Sequence, residues 1–187
     1  MLVVFLGPPG AGKGTQATRL KEHLKIPHLS TGEALREACQ KGTEFGRQAA
    51  KYFEAGKLVP DNVVVGIVAE RISQPDCEQG CLFDGFPRTV EQAKALDKML
   101  EEQGRGIHVV LALDISQEQL QARLAQRGRV DDTEEAIRER LVQYEELTKP
   151  VTDYYRERSL VREVSGEGTV DEVFDRIRTV FDKEPSH

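Results

Sequence analysis

Five short apolar runs, Leu2 to Leu6, Pro27 to Ser30, Gly80 to Phe83, Ile107 to Ile115 and Leu160 to Val164, punctuate a chain whose other segments carry apolar residues at helical spacing. Runs of that length predict strands, and the segments between them predict helices. Strands alternating with helices imply an α/β fold with a parallel, doubly wound, five-stranded sheet. One span departs from the simple alternation. From Gly42 to Pro60 the pattern is helical but polar, and another helix, Asn62 to Ile72, follows before the third strand. Such a span between two sheet elements suggests a small helical flap. Ligands of doubly wound sheets bind beyond the carboxyl ends of the strands, so chemistry is expected in the residues directly after each run.

After the first run comes GPPGAGKGT, Gly7 to Thr15, opening an amphipathic pattern. The Gly-x-x-x-x-Gly-Lys spacing between a strand and a helix is that of a phosphate cradle (P-loop). Glycines expose successive backbone N–H groups, Lys13 adds a positive charge, and the helix aims its positive end at the anion. Gly14 follows the lysine, so the hydroxyl expected near magnesium arrives one place late, as Thr15.

The remaining strand ends add cations and polar groups. Ser30 and Glu33 form the pattern of a capping box, which accounts for Glu33; Thr31 and Arg36 lie on the first turns at the mouth of the sheet, where an arginine can grip a second phosphate. Asp84 closes the third run as the acidic partner of a P-loop should, to hold a magnesium water shell, or it caps the next helix. Gly85 permits close backbone approach, Arg88 projects from the same rim, and Gln92 offers a donor and an acceptor to an adenine edge unless it lies on a solvated face. Ser116 and Gln119 repeat the capping pattern, and Arg123 and Arg127 stand four apart on that helix, where like charges gain from an anion between them. Gly128 breaks the helix, leaving Arg129-Val130-Asp131 before Asp132 caps the next one with Glu135. On that helix Ile137, Leu141 and Tyr144 form the inward stripe, with Arg140 about 60° from its centre and Arg138 about 100° away on the other side. Arg140 is thus expected to point inward and Arg138 outward. Gly166 to Thr169 is either a plain loop or a turn whose backbone touches a base.

Composition narrows the functional classes. The 187 residues suit one domain, and a net charge of −6 argues against a general nucleic-acid binder. No run approaches the roughly 18 apolar residues of a membrane-spanning helix, and no leader pattern opens the chain. Cys39, Cys77 and Cys81 form neither an even set nor a zinc ligand group, so we expect reduced thiols, no zinc and a cytoplasmic protein. Against this acidic background Lys13, Arg36, Arg88, Arg123, Arg127, Arg129 and Arg140 gather on one rim. Two nucleotides end to end explain that many cations better than one triphosphate does. Phosphoryl transfer needs positioning and charge stabilisation rather than a covalent nucleophile, and a flap on each side would exclude water.

The chain resembles the adenylate kinase family over essentially its whole length. The matching stretches are Gly7 to Gln16, Leu29 to Arg36, Lys57 to Asp61 (KLVPD), Phe83 to Ala93 (FDGFPRTVEQA), Gly128 to Asp132 and Ile137 to Leu141. The resemblance implies a single nucleoside monophosphate kinase domain over 1–187, with an AMP-binding flap at 30–59 and a short lid at 127–131. It implies ATP at Gly10, Ala11, Gly12, Lys13, Gly14 and Thr15, with Arg123 stacking near the adenine, Arg127 on the phosphates and Gly168 touching the base. It implies AMP at Thr31, Arg36, the backbone of Lys57, Leu58 and Val59, Gly85, Phe86, Pro87, Arg88 and Gln92. Arg129 and Arg140, eleven apart as in the family, would bridge to the transferred phosphoryl group. Lys13, Arg88, Arg129 and Arg140 are then the catalytic cations, and Thr15 and Asp84 hold Mg2+ through water. Members also carry a cis peptide at the position of Pro87.

Two departures stand out. Glu33 replaces the family's usual aspartate, keeping charge and cap. Only three residues separate Gln126-Arg127 from Asp131, a lid shorter than many and without cysteine ligands for zinc. A UMP/CMP kinase shares the P-loop, flap and arginines but tends to have alanine at the position of Thr31 and asparagine at that of Thr89, so both residues, with Gln92, favour AMP. A non-catalytic nucleotide-binding module would not need the full set of cations. The expected partners are ATP, AMP and ADP, with no nucleic acid, no membrane and a monomeric chain.

Overall fold

The computed structural model describes residues 1–54, 59–127 and 134–182. Its strands are β1 (Leu2–Leu6), β2 (His28–Ser30), β3 (Cys81–Asp84), β4 (Val109–Asp114) and β5 (Val161–Ser165). They form one parallel sheet in the order β2-β3-β1-β4-β5. All five apolar runs are strands; the first coincides with β1, and the ends of the other four are displaced by at most two residues. β1 is central, pairing Val4 with Phe83 on one side and Val110 on the other.

Residues of β1 alternate between two cores because strand side chains have period two. Leu2, Val4 and Leu6 enter one apolar cluster with Leu29, Phe83 and Val110, whereas Val3 and Phe5 enter the other with Leu82 and Leu111. Covering both faces explains why β1 reads as an unbroken apolar run. The first cluster takes in α2 (Thr31–Lys41), α3 (Glu44–Glu54), α4 (Asp61–Ile72), α5 (Val90–Glu101) and a later helix, Lys149–Arg156. The second takes in α1 (Lys13–Leu24) and the last helix, Val170–Asp182. Between β4 and β5 run α6 (Gln117–Arg127), α7 (Glu134–Gln143) and α8 (Lys149–Arg156), and the last helix is α9.

α2 and α3 pack on each other and on α4 through two glycines. A Cβ at Gly46 would lie 2.0 Å from the Ala38 carbonyl oxygen, and one at Gly66 would lie 2.5 Å from the Phe45 ring. These contacts seat the predicted flap helices on α4, itself buried through Val63, Val64, Ile67, Val68 and Ile72.

Two local expectations change. Ser30 is the N-cap of α2, but its side chain makes no cap bond; the residue is still paired in β2 opposite Asp84, so the sheet fixes its direction. The predicted inward stripe, Ile137 and Leu141 on α7 and Tyr144 just past its end, is half-buried rather than buried. After α7 the chain passes through one π turn, Tyr144–Thr148, into α8. Pro150 in the first turn of α8 has no N–H to continue the regular ladder, which accounts for the irregular turn. The caps read at Asp132 and Glu135 involve residue 132, outside the described residues.

Candidate active site

The P-loop folds as a turn feeding a helix. Gly12 is the N-cap of α1 with φ 94°, a left-handed conformation open to glycine at little cost. It has no side chain to satisfy the first N–H groups of α1, which are left available at the loop's mouth. Lys13 Nζ folds back and donates to the carbonyls of Gly7 at 2.6 Å and Pro8 at 3.0 Å. Enclosure of its ammonium lowers the Lys13 pKa to about 8; Asp84 opposes the shift and Arg88 reinforces it.

Asp84 ends β3 beside this loop. A Cβ on Gly14 would sit 3.8 Å from Asp84 Oδ2, so the carboxylate reaches the start of α1, next to Thr15. The same oxygen lies 3.3 Å from His28 Nε2. One carboxylate and one hydroxyl at the cradle form a hard oxygen set, which suits a cation that keeps most of its water, as Mg2+ does. Among the described residues there is no cluster of three or more His, Cys, Asp or Glu able to hold a metal. Cys39, Cys77 and Cys81 are free thiols, the last two buried.

The second group of predicted residues gathers around Gly85. Thr31 Oγ1 donates to the Asp84 carbonyl at 3.2 Å, and Arg88 Nε donates to the Gly85 carbonyl at 2.9 Å. A Cβ on Gly85 would be 3.4 Å from an Arg88 terminal nitrogen and 3.5 Å from Thr31 Oγ1, which places all three together. Phe86 and Pro87 are buried behind them, and their peptide bond is cis. Arg36 is exposed, and its guanidinium folds back over Gly32 in the first turn of α2. Gln92 is 5 % exposed; its Oε1 accepts from the Arg88 N–H at 2.7 Å, and its Nε2 donates to Asp61 Oδ1 at 2.7 Å. Thr89 is the N-cap of α5, its Oγ1 accepting from the Gln92 N–H at 3.1 Å, so Asp84 does not cap that helix.

Arg123 ties the cradle to the end of β5, donating to the carbonyls of Ala11 at 3.1 Å, Gly166 at 2.8 Å and Gly168 at 3.2 Å. Arg140 is half-buried and Arg138 exposed, the split that helical phase predicts. Arg140 is close enough to Arg88 for their charges to interact. Val59 packs against the first apolar cluster. Lys57, Leu58, Arg129, the Arg127 side chain and lid residues 128–131 lie outside the described residues.

Three neighbours of the site escape the sequence reading. His28 faces Asp84, Asp61 holds Gln92, and Thr148 Oγ1 donates to the Arg88 carbonyl at 3.1 Å. Asp61 lies in a stretch that carries the resemblance, yet an acid in a first helical turn has an ordinary role with the helix dipole. Thr148 reaches the site only because the π turn brings it there.

The loop, the acid closing β3 and Arg88 beside Gly85 come together at the carboxyl ends of β1 and β3. A family model described as adenylate kinase matches residues 5–160, from within β1 to the residue before β5. The chain belongs to the adenylate kinase family. It is 50% identical to an adenylate kinase of Mycolicibacterium paratuberculosis, covering 94% of this chain and 96% of that one. It is 48% identical to one of Stenotrophomonas maltophilia, covering 95% and 97%. With an adenylate kinase of Archaeoglobus fulgidus it shares 42% identity over 98% and 99% of the two chains; that alignment spans 214 positions, so the relative carries residues this shorter chain lacks. Membership makes the chain an enzyme, a phosphotransferase, and does not favour the UMP/CMP kinase or non-catalytic readings.

Proposed function

We propose that the chain transfers the terminal phosphoryl group of MgATP to AMP, reversibly, giving two ADP, with Lys13, Arg88, Arg129 and Arg140 stabilising the moving charge. The observation that carries this is the meeting of Lys13, Asp84 and Arg88 in one electrostatic neighbourhood, with Arg140 beside Arg88. ATP would lie on Gly10 to Thr15, with Arg123 and Gly168 toward its base and Arg127 toward its phosphates. AMP would lie on Thr31, Arg36, residues 57–59, Gly85 to Arg88 and Gln92, with its phosphate toward Arg36 and Arg88.

No residue need attack covalently. The α1 N-terminus and Lys13 hold the donor's phosphates, the Arg88 side aligns the acceptor, and the arginines neutralise oxygens on which charge accumulates. Thr15 and Asp84 would hold Mg2+ through water, and the ion would supply positive charge that offsets that of the donor's phosphates. Closure of a flap over 30–59 and a short lid over 127–131 would keep water from intercepting the phosphoryl group. Free thiols fit a reducing cytoplasm, and we take the chain to act there as a monomer.

The test is ADP formation from MgATP with AMP, UMP, CMP or no acceptor, in wild type and Lys13→Met. AMP-selective turnover that collapses in the variant is expected. Preference for UMP or CMP would overturn the base assignment, and no transfer to any acceptor would overturn the reaction.

A further inference from the structure

Gln92 can recognise a base only if its two amide atoms are presented in the right order, and a carboxamide flipped by 180° presents them reversed. Two neighbours oppose that flip. The Arg88 N–H donates to Oε1 at 2.7 Å, and the Asp61 carboxylate accepts from Nε2 at 2.7 Å. Asp61 is itself held by the Thr89 hydroxyl, which donates to its other oxygen at 2.9 Å. Thr89 in turn accepts from the Gln92 backbone N–H at 3.1 Å, closing a ring of hydrogen bonds around one side chain. A flipped amide would set Oε1 against a carboxylate and Nε2 against an N–H. Because Gln92 is 5 % exposed, water is poorly placed to relieve either clash.

Each amide atom has capacity left after these contacts. Nε2 keeps a second N–H and Oε1 a second lone pair. We propose that Asp61 is a positioning residue for acceptor specificity: by fixing the amide of Gln92 it makes the site select a 6-aminopurine monophosphate over a 6-oxopurine one. Adenine offers an acceptor at N1 beside a donor at N6, which suits one amide order. Hypoxanthine offers a donor at N1 beside an acceptor at O6, which requires the other. A site built to make such bonds rejects the reversed partner because polar groups are left unpaired. The inference rests on Gln92 being the base-reading residue.

The same placement has an ordinary explanation, since an acid in the first turn of α4 favours the helix dipole. The two roles separate in kinetics. Loss of a helix-start charge lowers the melting temperature and affects both acceptors alike. Loss of the amide anchor changes their ratio.

The experiment measures kcat and KM for AMP and IMP at saturating MgATP in wild type, Asp61→Asn, Asp61→Ser and Gln92→Ala, with a melting curve for each. Asparagine is isosteric and can donate as well as accept, so it tolerates both amide orders; serine is the second replacement should the first weaken the helix start. The kcat/KM preference for AMP over IMP should fall about tenfold in both Asp61 variants, the worth of one lost hydrogen bond to a charged group, and chiefly through KM. An unchanged preference in the Asp61 variants, with a collapsed one in Gln92→Ala, overturns the role of Asp61 and leaves Gln92 as the reader. An unchanged preference in Gln92→Ala as well overturns the base assignment itself, and the proposal with it.

Discussion

Nucleotide binding at pH 9 should draw in a large fraction of a proton, because the nucleotide-free site holds Lys13 with a pKa lowered to about 8. The cause is enclosure of the ammonium beneath the loop, where the carbonyls of Gly7 and Pro8 stand in for water. At that pKa roughly nine-tenths of the molecules are neutral at pH 9 and about a tenth at pH 7. A polyphosphate placed against the ammonium should raise the pKa by about 1–3 units, as opposite charges at contact do. Uptake of roughly 0.4–0.9 proton at pH 9, and under about 0.1 at pH 7, follows from those values. The terminal phosphate, with its second pKa near about 6, is fully ionised at the higher pH and adds no protons of its own. Titration calorimetry of MgATP in buffers of different ionisation enthalpy reads the proton number as a slope. A zero slope at pH 9, or an equal slope in Lys13→Met, refutes the reasoning. The linkage to stability has the matching sign. Between about 8 and the ordinary lysine value of 10.5, the folded chain binds fewer protons than the unfolded one. Stability of the nucleotide-free enzyme therefore rises with pH across that window and is lost as pH falls through 8, by at most on the order of 3 kcal/mol. Lys13→Met removes that burden, so at pH 7 it should melt no lower than wild type while transfer collapses.

Other outcomes follow from single contacts. Arg88→Ala should lower kcat by about 10²- to 10³-fold with the melting temperature little changed, since in the proposed reaction this arginine donates to the charge that develops on the moving group. Arg123→Ala, which cuts three bonds between the P-loop and the Gly166 turn, should raise the KM for MgATP roughly tenfold in the same assay. Gly66→Ala drives a methyl into the Phe45 ring and should cost about 1–3 kcal/mol in chemical denaturation. Thr89→Val removes the α5 cap and the bond to Asp61; a loss of about 1–2 kcal/mol and a raised KM for AMP are expected.

What the sequence reveals here depends on how local the physics is. β1 is legible because both its faces are buried, so apolarity alone marks it, and the strand-glycine-helix grammar of Gly7 to Thr15 is confined to consecutive residues. Arg140 against Arg138 is legible because helical phase is fixed at 100° per residue. The capping box at Ser30 fails for the opposite reason. Its pattern is local, but the conformation of Ser30 is decided by pairing with β3, more than fifty residues away in the chain.

Asp61 shows the limit most clearly. Its type and position are fully explained by the start of α4, so no local pattern asks for a second role. That role exists only because α4 and α5 pack side by side and bring their first turns together, placing Asp61 within reach of Thr89 and Gln92. The residue that touches a ligand can be guessed from its chemistry, since a donor and an acceptor on one amide suit a base edge. The residue that decides how this amide is turned contributes nothing to that guess, although the discrimination between two purines differing at one ring edge depends on it. If that is so, acceptor specificity is written partly in the packing of two helix starts, and a substitution at Asp61 should alter selectivity with every residue assigned to contact AMP unchanged.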